Sequence, residues 1–377
     1  MIRTAGVSPA MSGPGARGPN MTAKSMLQND DEKDSRMNET RRVNLALQGG
    51  GSHGAFTWGV LDALLEDERL TVEAVSGTSA GAMNAAILLQ GWTVGGRAGA
   101  RTALRAFWRE LGTMSIASPI QRTPLDRLRG NWNLDDSPGA LWADLIQRTL
   151  TPWQRNPLKF DPLRELLRRH FDEKSVRACR EIKAFIAATN VQTGKVRIFR
   201  REELSIDALL ASACLPNVHD AVMIEGVPYW DGGFRGNPPI WPFIYESDSR
   251  DVVLVEVDPP SREGVPRSNA EIADRLNEIT FGGALMSEMR AIAFVQDLID
   301  RGAVTGEFAQ RLKRLFIHSI ADAASLAPLG SVSKFNIEPA FLDHLFGLGR
   351  GAATSWLART FASLGVASSI DIRARFL

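Results

Sequence analysis

Gly77-Thr78-Ser79-Ala80-Gly81 is the most chemically specific run in the chain. It matches G-x-S-x-G, a strand-to-helix turn so sharp that the serine's neighbours must be small. Such a turn lifts the Ser79 hydroxyl to the head of a helix, where the dipole favours negative charge. A second cluster, Gly49-Gly50-Gly51-Ser52-His53-Gly54, precedes it and fits G-x-G-x-x-G. Two chemistries use that pattern. Backbone N–H groups can hold a pyrophosphate at a helix N-terminus, or they can hold a developing oxyanion. A dinucleotide site wants an acidic residue at the end of the second strand for the ribose. Glu73 is near that distance but lies at the start of the strand, which runs straight into the elbow. The oxyanion reading is therefore favoured over a nicotinamide-dependent oxidoreductase.

A serine nucleophile needs a base. Five histidines are available. His53 belongs to the glycine loop, His170 follows Arg168-Arg169 on a solvated helix, His219 lies in an irregular stretch and His344 in a C-terminal helical region. Only His318, late in a strand, resembles the last member of a Ser–Asp–His triad. A strand histidine satisfied by its neighbours is the commoner case. Asp231 is better placed, in Pro228-Tyr229-Trp230-Asp231-Gly232-Gly233-Phe234. Aromatic residues before it and glycines after it describe a strand end breaking into a tight turn, with Gly232 and Gly233 allowing close backbone approach. Ala211-Ser212-Ala213-Cys214-Leu215-Pro216 lies upstream and Gly236-Asn237-Pro238-Pro239 downstream.

The elements that must carry these groups follow from apolar patterning. Residues 43–48 form a short apolar run ended by glycines, a buried strand. Residues 53–65 have helical spacing, 73–76 form a second strand, and 79–89 an alanine-rich helix. Strand–helix–strand–helix within about fifty residues predicts a parallel α/β sheet. Runs at 182–188, 196–199, 252–257 and 315–320 extend it. Residues 107–171 are different, with Trp108, Trp132, Trp142 and Trp153 among six prolines. They predict a cap or lid of short helices. Residues 271–301 predict an amphipathic helix broken near Gly282-Gly283, and residues 338–377 predict further helices.

Composition is that of a globular protein with a core, 44% hydrophobic and 23% charged. With 44 basic and 43 acidic residues the formal net charge is +1, which makes no case for nucleic-acid binding. Cys179 and Cys214 are too few for a disulfide framework, and the scattered histidines and carboxylates suggest no metal cluster. Residues 1–42 lack the apolar core of a signal peptide and are expected to be a disordered tail. The longest uncharged run, residues 74–96, carries several polar residues and four glycines before its last position, a poor transmembrane helix. A cytoplasmic location, with peripheral membrane contact, is the expectation.

Taken together, the glycine loop at 49–54, the elbow at 77–81, the Ala-Ser…Pro segment at 211–216 and Asp231-Gly232-Gly233, in that order, resemble the bacterial patatin-like phospholipases. The resemblance implies a three-layer α/β/α sandwich with a mostly parallel central sheet. It implies a serine acyl hydrolase that cleaves lipid esters through a Ser–Asp dyad and an acyl-enzyme, without metal or cofactor. Carried over, Ser79 is the nucleophile and Asp231 the base. Gly49, Gly50 and Gly51, with Ala80, form the oxyanion hole; Gly54, Gly77, Gly81, Gly232 and Gly233 shape the turns. The catalytic domain would span residues 43–330, include the 107–171 insertion, and carry a C-terminal helical segment at 331–377. Arg105, Arg109, Arg122, Arg127 and Arg129 in the insertion suggest a partner in anionic lipid. Two departures are visible: His53 stands where many relatives carry Arg or Lys, and Gly236-Asn237-Pro238 stands where Asn-Asn-Pro is frequent. The rival readings are a dinucleotide-binding oxidoreductase, a non-catalytic lipid-binding protein on the same fold, and an esterase triad using His318.

Overall fold

Alternation in the first strand decides the architecture. In β1 (Arg41–Leu47), Val43, Leu45 and Leu47 enter one apolar cluster, while Ala46 enters another on the opposite face. A strand buried on both faces requires helices on both. The computed structural model describes residues 40–118, 121–134, 137, 154, 161–258, 261, 264–307 and 312–377. The expected tail therefore lies outside the described residues as far as position 39.

The sheet contains β2 (Leu70–Gly77), β3 (Lys183–Asn190), β4 (Val196–Arg200), β5 (Val222–Ile224), β6 (Val227–Asp231), β7 (Asp251–Val255) and β8 (Phe316–Ile320) besides β1. Its order is β5-β6-β3-β2-β1-β7-β8, with β4 also paired to β3. The pairs β1–β2, β1–β7, β2–β3 and β7–β8 are parallel; β4, β5 and β6 pair antiparallel. One face is covered by α1 (Gly54–Glu66), α2 (Ala80–Thr113) and α8 (Pro339–Thr360), and the other by α6 (Trp241–Glu246) and α7 (Asn269–Asp300). This is the expected three-layer α/β/α sandwich. Helices α3 (Pro124–Arg129), α4 (Pro162–His170) and α5 (Ile206–Ser212) complete the set used below.

Several expectations need correction. The alanine-rich helix does not end at residue 89. It continues as α2, broken at Gly95 and Gly96, whose non-helical angles turn 80–94 back into 97–113 as a hairpin. Gly91 permits the close contact, since a Cβ there would lie 2.4 Å from the Gly99 carbonyl oxygen. Conversely, α7 runs unbroken through Gly282-Gly283. The β5–β6 hairpin was not expected as such; its turn, Glu225-Gly226, has positive φ at both residues, the arrangement of a tight two-residue hairpin.

Two of the four tryptophans of residues 107–171 are among the described residues. Trp108 is buried in α2, stacked on Trp58, and its Nε1 donates to Asn84 Oδ1 at 2.9 Å. Trp132 stacks on Phe341 and His344, with the Arg122 guanidinium 4.0 Å above it. Both are packing residues. Trp142 and Trp153 lie outside the described residues. No described helix is long and apolar enough to cross a membrane.

Candidate active site

The parallel strands point their C-terminal ends toward one edge, and β1 has β2 on one side and β7 on the other. The chain winds away from β1 in both directions, so a crevice opens at its end. Gly49–Gly51 leave β1 at that crevice, and Ser79 leaves β2 beside it. Ser79 has φ 54° and ψ −122°, a left-handed conformation that costs a non-glycine residue energy. It is held by its surroundings. Its amide donates to Ser212 Oγ of α5 at 3.0 Å, and the Thr78 hydroxyl donates to the Gly236 carbonyl at 2.6 Å. The small residues are required by close approach: a Cβ on Gly81 would lie 2.1 Å from the Leu47 carbonyl oxygen, and one on Gly77 2.5 Å from that of Gly81.

Pairing along β3 brings Asp231 to this turn. β2 occupies β3 as far as Gly77 opposite Ile186, then departs into the elbow. β6 takes over, with Asp231 opposite Ala188. Two strands distant in sequence thus end head to head. The Asp231 amide donates to the Cys214 carbonyl at 2.8 Å, and its own carbonyl accepts from Thr189 Oγ1 at 2.8 Å. Its carboxylate is 1% exposed; Oδ1 accepts the Gly233 amide at 2.7 Å. The Ser79 hydroxyl is close enough to favour the charged carboxylate, yet Oδ2 has no well-formed partner among the described residues. The two groups are thus close without a well-formed hydrogen bond at Oδ2. Burial pushes the Asp231 carboxyl up to about 7, against the opposing pull of the Gly233 amide, the Ser79 hydroxyl and the Lys334 charge. Such a carboxylate is a far better base at neutral pH than an ordinary one.

The glycine loop lies directly on the elbow. A Cβ on Gly49 would lie 2.8 Å from that of Ser79, and one on Gly54 2.7 Å from that of Ala80. The Gly49 amide, however, donates to Asn237 Oδ1 at 2.7 Å and is not a free donor. That corrects the expectation for Gly49. Gly50 is half-buried and Gly51 exposed, and among the described loop bonds neither amide has a backbone acceptor. Ala80 opens α2, where first-turn amides lack intrahelical partners. Gly50, Gly51 and Ala80 remain the candidate donors. On the far side, Phe281 of α7 closes over the Asp231 turn, since a Cβ on Gly233 would lie 2.2 Å from its ring.

Sequence reasoning missed Asn237 as a strut. Asn237 is buried and connects the turn after Asp231 to the loop after β1. Glu288 of α7 anchors the next residues, accepting the amides of Ile240 and Trp241 at 2.7 and 2.8 Å. The signal available was an asparagine between Gly236 and a proline. Asn237→Ala is expected to lower kcat about tenfold with little change in KM, because the loop loses a buried hydrogen bond and not a substrate contact. Steady-state kinetics on a soluble ester checks this; a change in KM alone would contradict it.

The remaining candidates lie apart. His318 is buried in β8, with Nε2 2.9 Å from Asp251 Oδ1 and Nδ1 3.1 Å from Ser369 Oγ. Asp251 opens β7 at the end of the sheet remote from Ser79, so His318 is a satisfied strand histidine. His53 bonds Ser333 Oγ at 2.8 Å, and burial, aided by the Lys334 charge, pushes its imidazole down to about 3. Glu73 is held by Ser247 and by the amides of Asp248 and Ser249, not by anything near the glycine loop. Burial pushes the Cys214 thiol up to about 12, so it is no nucleophile. No group of potential metal ligands occurs among the described residues.

No curated protein matches the chain. Among solved structures it is similar to VipD from Legionella pneumophila, at 16% identity and a TM-score of 0.38, over 84% of this chain and 67% of that one. It is also similar to the type III effector protein ExoU, at 17% identity and a TM-score of 0.30, over 85% of this chain and 53% of that one. The chain therefore spans about half the length of ExoU. The sequence model of the patatin-like phospholipases matches residues 45–244, a range that contains the glycine loop, the elbow, Asp231 and Asn237. More than half of the chain is covered by that match, and the chain belongs to the patatin-like phospholipase family, and with it to the carboxylic ester hydrolases of lipids.

Proposed function

We propose that the protein cleaves acyl esters of lipids, of phospholipase A, lysophospholipase or esterase type, through a dyad of Ser79 and Asp231. The observation that carries this reading is the head-to-head meeting of β2 and β6 on β3, which sets a buried carboxyl with a free Oδ2 against a strained serine. Asp231 takes the Ser79 proton as Oγ attacks the ester carbonyl carbon. The carbonyl oxygen becomes an oxyanion and accepts from the amides of Gly50, Gly51 and Ala80. The tetrahedral species collapses, the C–O bond to the alcohol breaks, and Asp231 returns the proton to the leaving oxygen. Water then attacks the acyl-enzyme with Asp231 again as base, releasing the fatty acid and restoring Ser79. Residues 43–330 act as the catalytic domain, with the 331–377 segment packed on it through Ser333 at His53 and α8 against α1. The substrate's aggregated state implies peripheral work at a membrane surface.

A fluorophosphonate probe, followed by peptide mass spectrometry, is expected to modify Ser79. A parallel screen over phospholipids, monoacylglycerols and p-nitrophenyl esters is expected to release acid from at least one class. An unlabelled Ser79 and no hydrolysis in any class would leave a lipid-binding protein in place of an enzyme.

A further inference from the structure

Among the described residues of the insertion, aliphatic side chains are left in solvent, whereas Trp108 is buried and Trp132 half-buried. Ile116 is 84%, Leu125 51% and Leu128 85% exposed. Their place in the fold follows from the helices that carry them. α2 starts at Ala80, turns at Gly95-Gly96 and returns, so that Trp108 lies against Gly54 and Asn84. Its end, followed by the short turn Met114–Ala117 that carries Ile116, is therefore back at the active-site end of the sheet. α3 arrives at the same end by another route. Arg122 donates to Glu338 at 2.7 Å, immediately before α8, and Trp132 stacks on Phe341. Phe341 in turn packs edge-on against His53 of the glycine loop. The residues on either side of α3 are thus tied, through Glu338 and Phe341, to the glycine loop.

Among the described residues beside them the exposed charges are mainly basic, with Glu110 taken up by Arg169 and His170. Arg109 and Arg129 are exposed, and the Arg127 side chain is 54% exposed with only a 3.7 Å approach to Glu338. Within residues 114–133 the acid is Asp126, which is buried and held by Thr123 and Asn131 in the helix cap. Arg122, counted with these arginines from sequence, is buried in its pair with Glu338 and is unavailable. An apolar tip beside exposed arginines complements an anionic bilayer, which accepts aliphatic side chains below its headgroups and arginines at them. A protein partner would need an acidic groove with an apolar floor, whereas the family's substrate already resides in bilayers.

We propose that Ile116, Leu125 and Leu128, with Arg109, Arg127 and Arg129, form the surface by which this protein docks on anionic membranes, with its active-site crevice facing the lipid. The direction of the crevice rests on the Ser79 reading; the docking itself does not. The test uses Ser79→Ala protein of residues 1–377 in flotation with vesicles of phosphatidylglycerol and of phosphatidylcholine. Strong binding to the former and weak binding to the latter is expected. Leu125→Ser/Leu128→Ser and Arg127→Glu/Arg129→Glu are each expected to weaken binding about tenfold or more. In an otherwise native chain the same pairs should still hydrolyse a soluble short-chain ester, which also reports that they fold. The proposal fails if the parent ignores phosphatidylglycerol vesicles, or if both double variants bind like the parent. It fails equally if light scattering shows the leucine variant turning a dimer into a monomer, since the patch then covers a second copy. Failure of ester hydrolysis in the native chain with binding intact would overturn the dyad and leave the docking surface standing.

Discussion

Ser79→Ala and Asp231→Asn are each expected to lower acyl-ester hydrolysis by about 10² to 10⁴-fold while leaving a folded protein. The first removes the attacking oxygen. The second keeps the shape of the side chain, and its Oδ1 can still accept the Gly233 amide. What it loses is the ability to receive the Ser79 proton. His318→Ala is the informative contrast. It breaks a buried contact with Asp251 and lowers stability, yet Asp251 and Ser369 are its partners and neither belongs to the crevice. Rates must be read beside circular dichroism and melting temperature. If His318→Ala abolishes turnover in a folded protein while Asp231→Asn does not, the dyad is wrong and a triad takes its place.

The second large effect is on pH. With Asp231 pushed up to about 7 by burial, kcat/KM should rise with pH and level off above that value. Below it, the rate should fall about tenfold per pH unit, to about one-hundredth at pH 5, because a protonated carboxyl cannot act as base. A flat profile between pH 5 and 8 would contradict it. Stability carries the opposite sign. The folded state holds the Asp231 proton more tightly than the unfolded chain does, so between its ordinary value of 3.8 and about 7 the native state has bound the extra proton. Stability from this group is fully present below 3.8 and is lost as pH rises through about 7. Asp231→Asn removes that slope. The variant should melt higher than the native chain at pH 8 and alike at pH 3.5. Glu288, also pushed up to about 7 by burial, contributes equally to both proteins and drops out of the difference. An inactive yet more stable variant is the usual mark of a site that holds a destabilised group for chemistry.

Much of this was legible in the chain because it is local. The elbow and the glycine loop are runs whose residue types are dictated by contacts within a few positions. Strands such as β1 and β7 show as apolar runs because both of their faces are buried. The extent of α2 was less legible, since its turn at Gly95-Gly96 depends on how 97–113 packs back on 80–94. The intact passage of α7 through Gly282-Gly283 likewise reflects packing of its flanks, which offsets the weak helical preference of glycine.

Ser79 in a sharp strand-to-helix elbow, the glycine loop before it and Asp231 at a turn were all determined by sequence alone. Their meeting was not. It depends on β6 replacing β2 along β3, an antiparallel pairing between segments far apart in the chain that no local pattern records. The same holds for Asn237, whose buried bond to Gly49 removes one amide from the candidate oxyanion hole and stiffens the rest. Burial decided the remainder. An aspartate is an aspartate in any sequence, but only the closed turn under Phe281 and the loss of water around it move its proton affinity into the range where it can serve as a base.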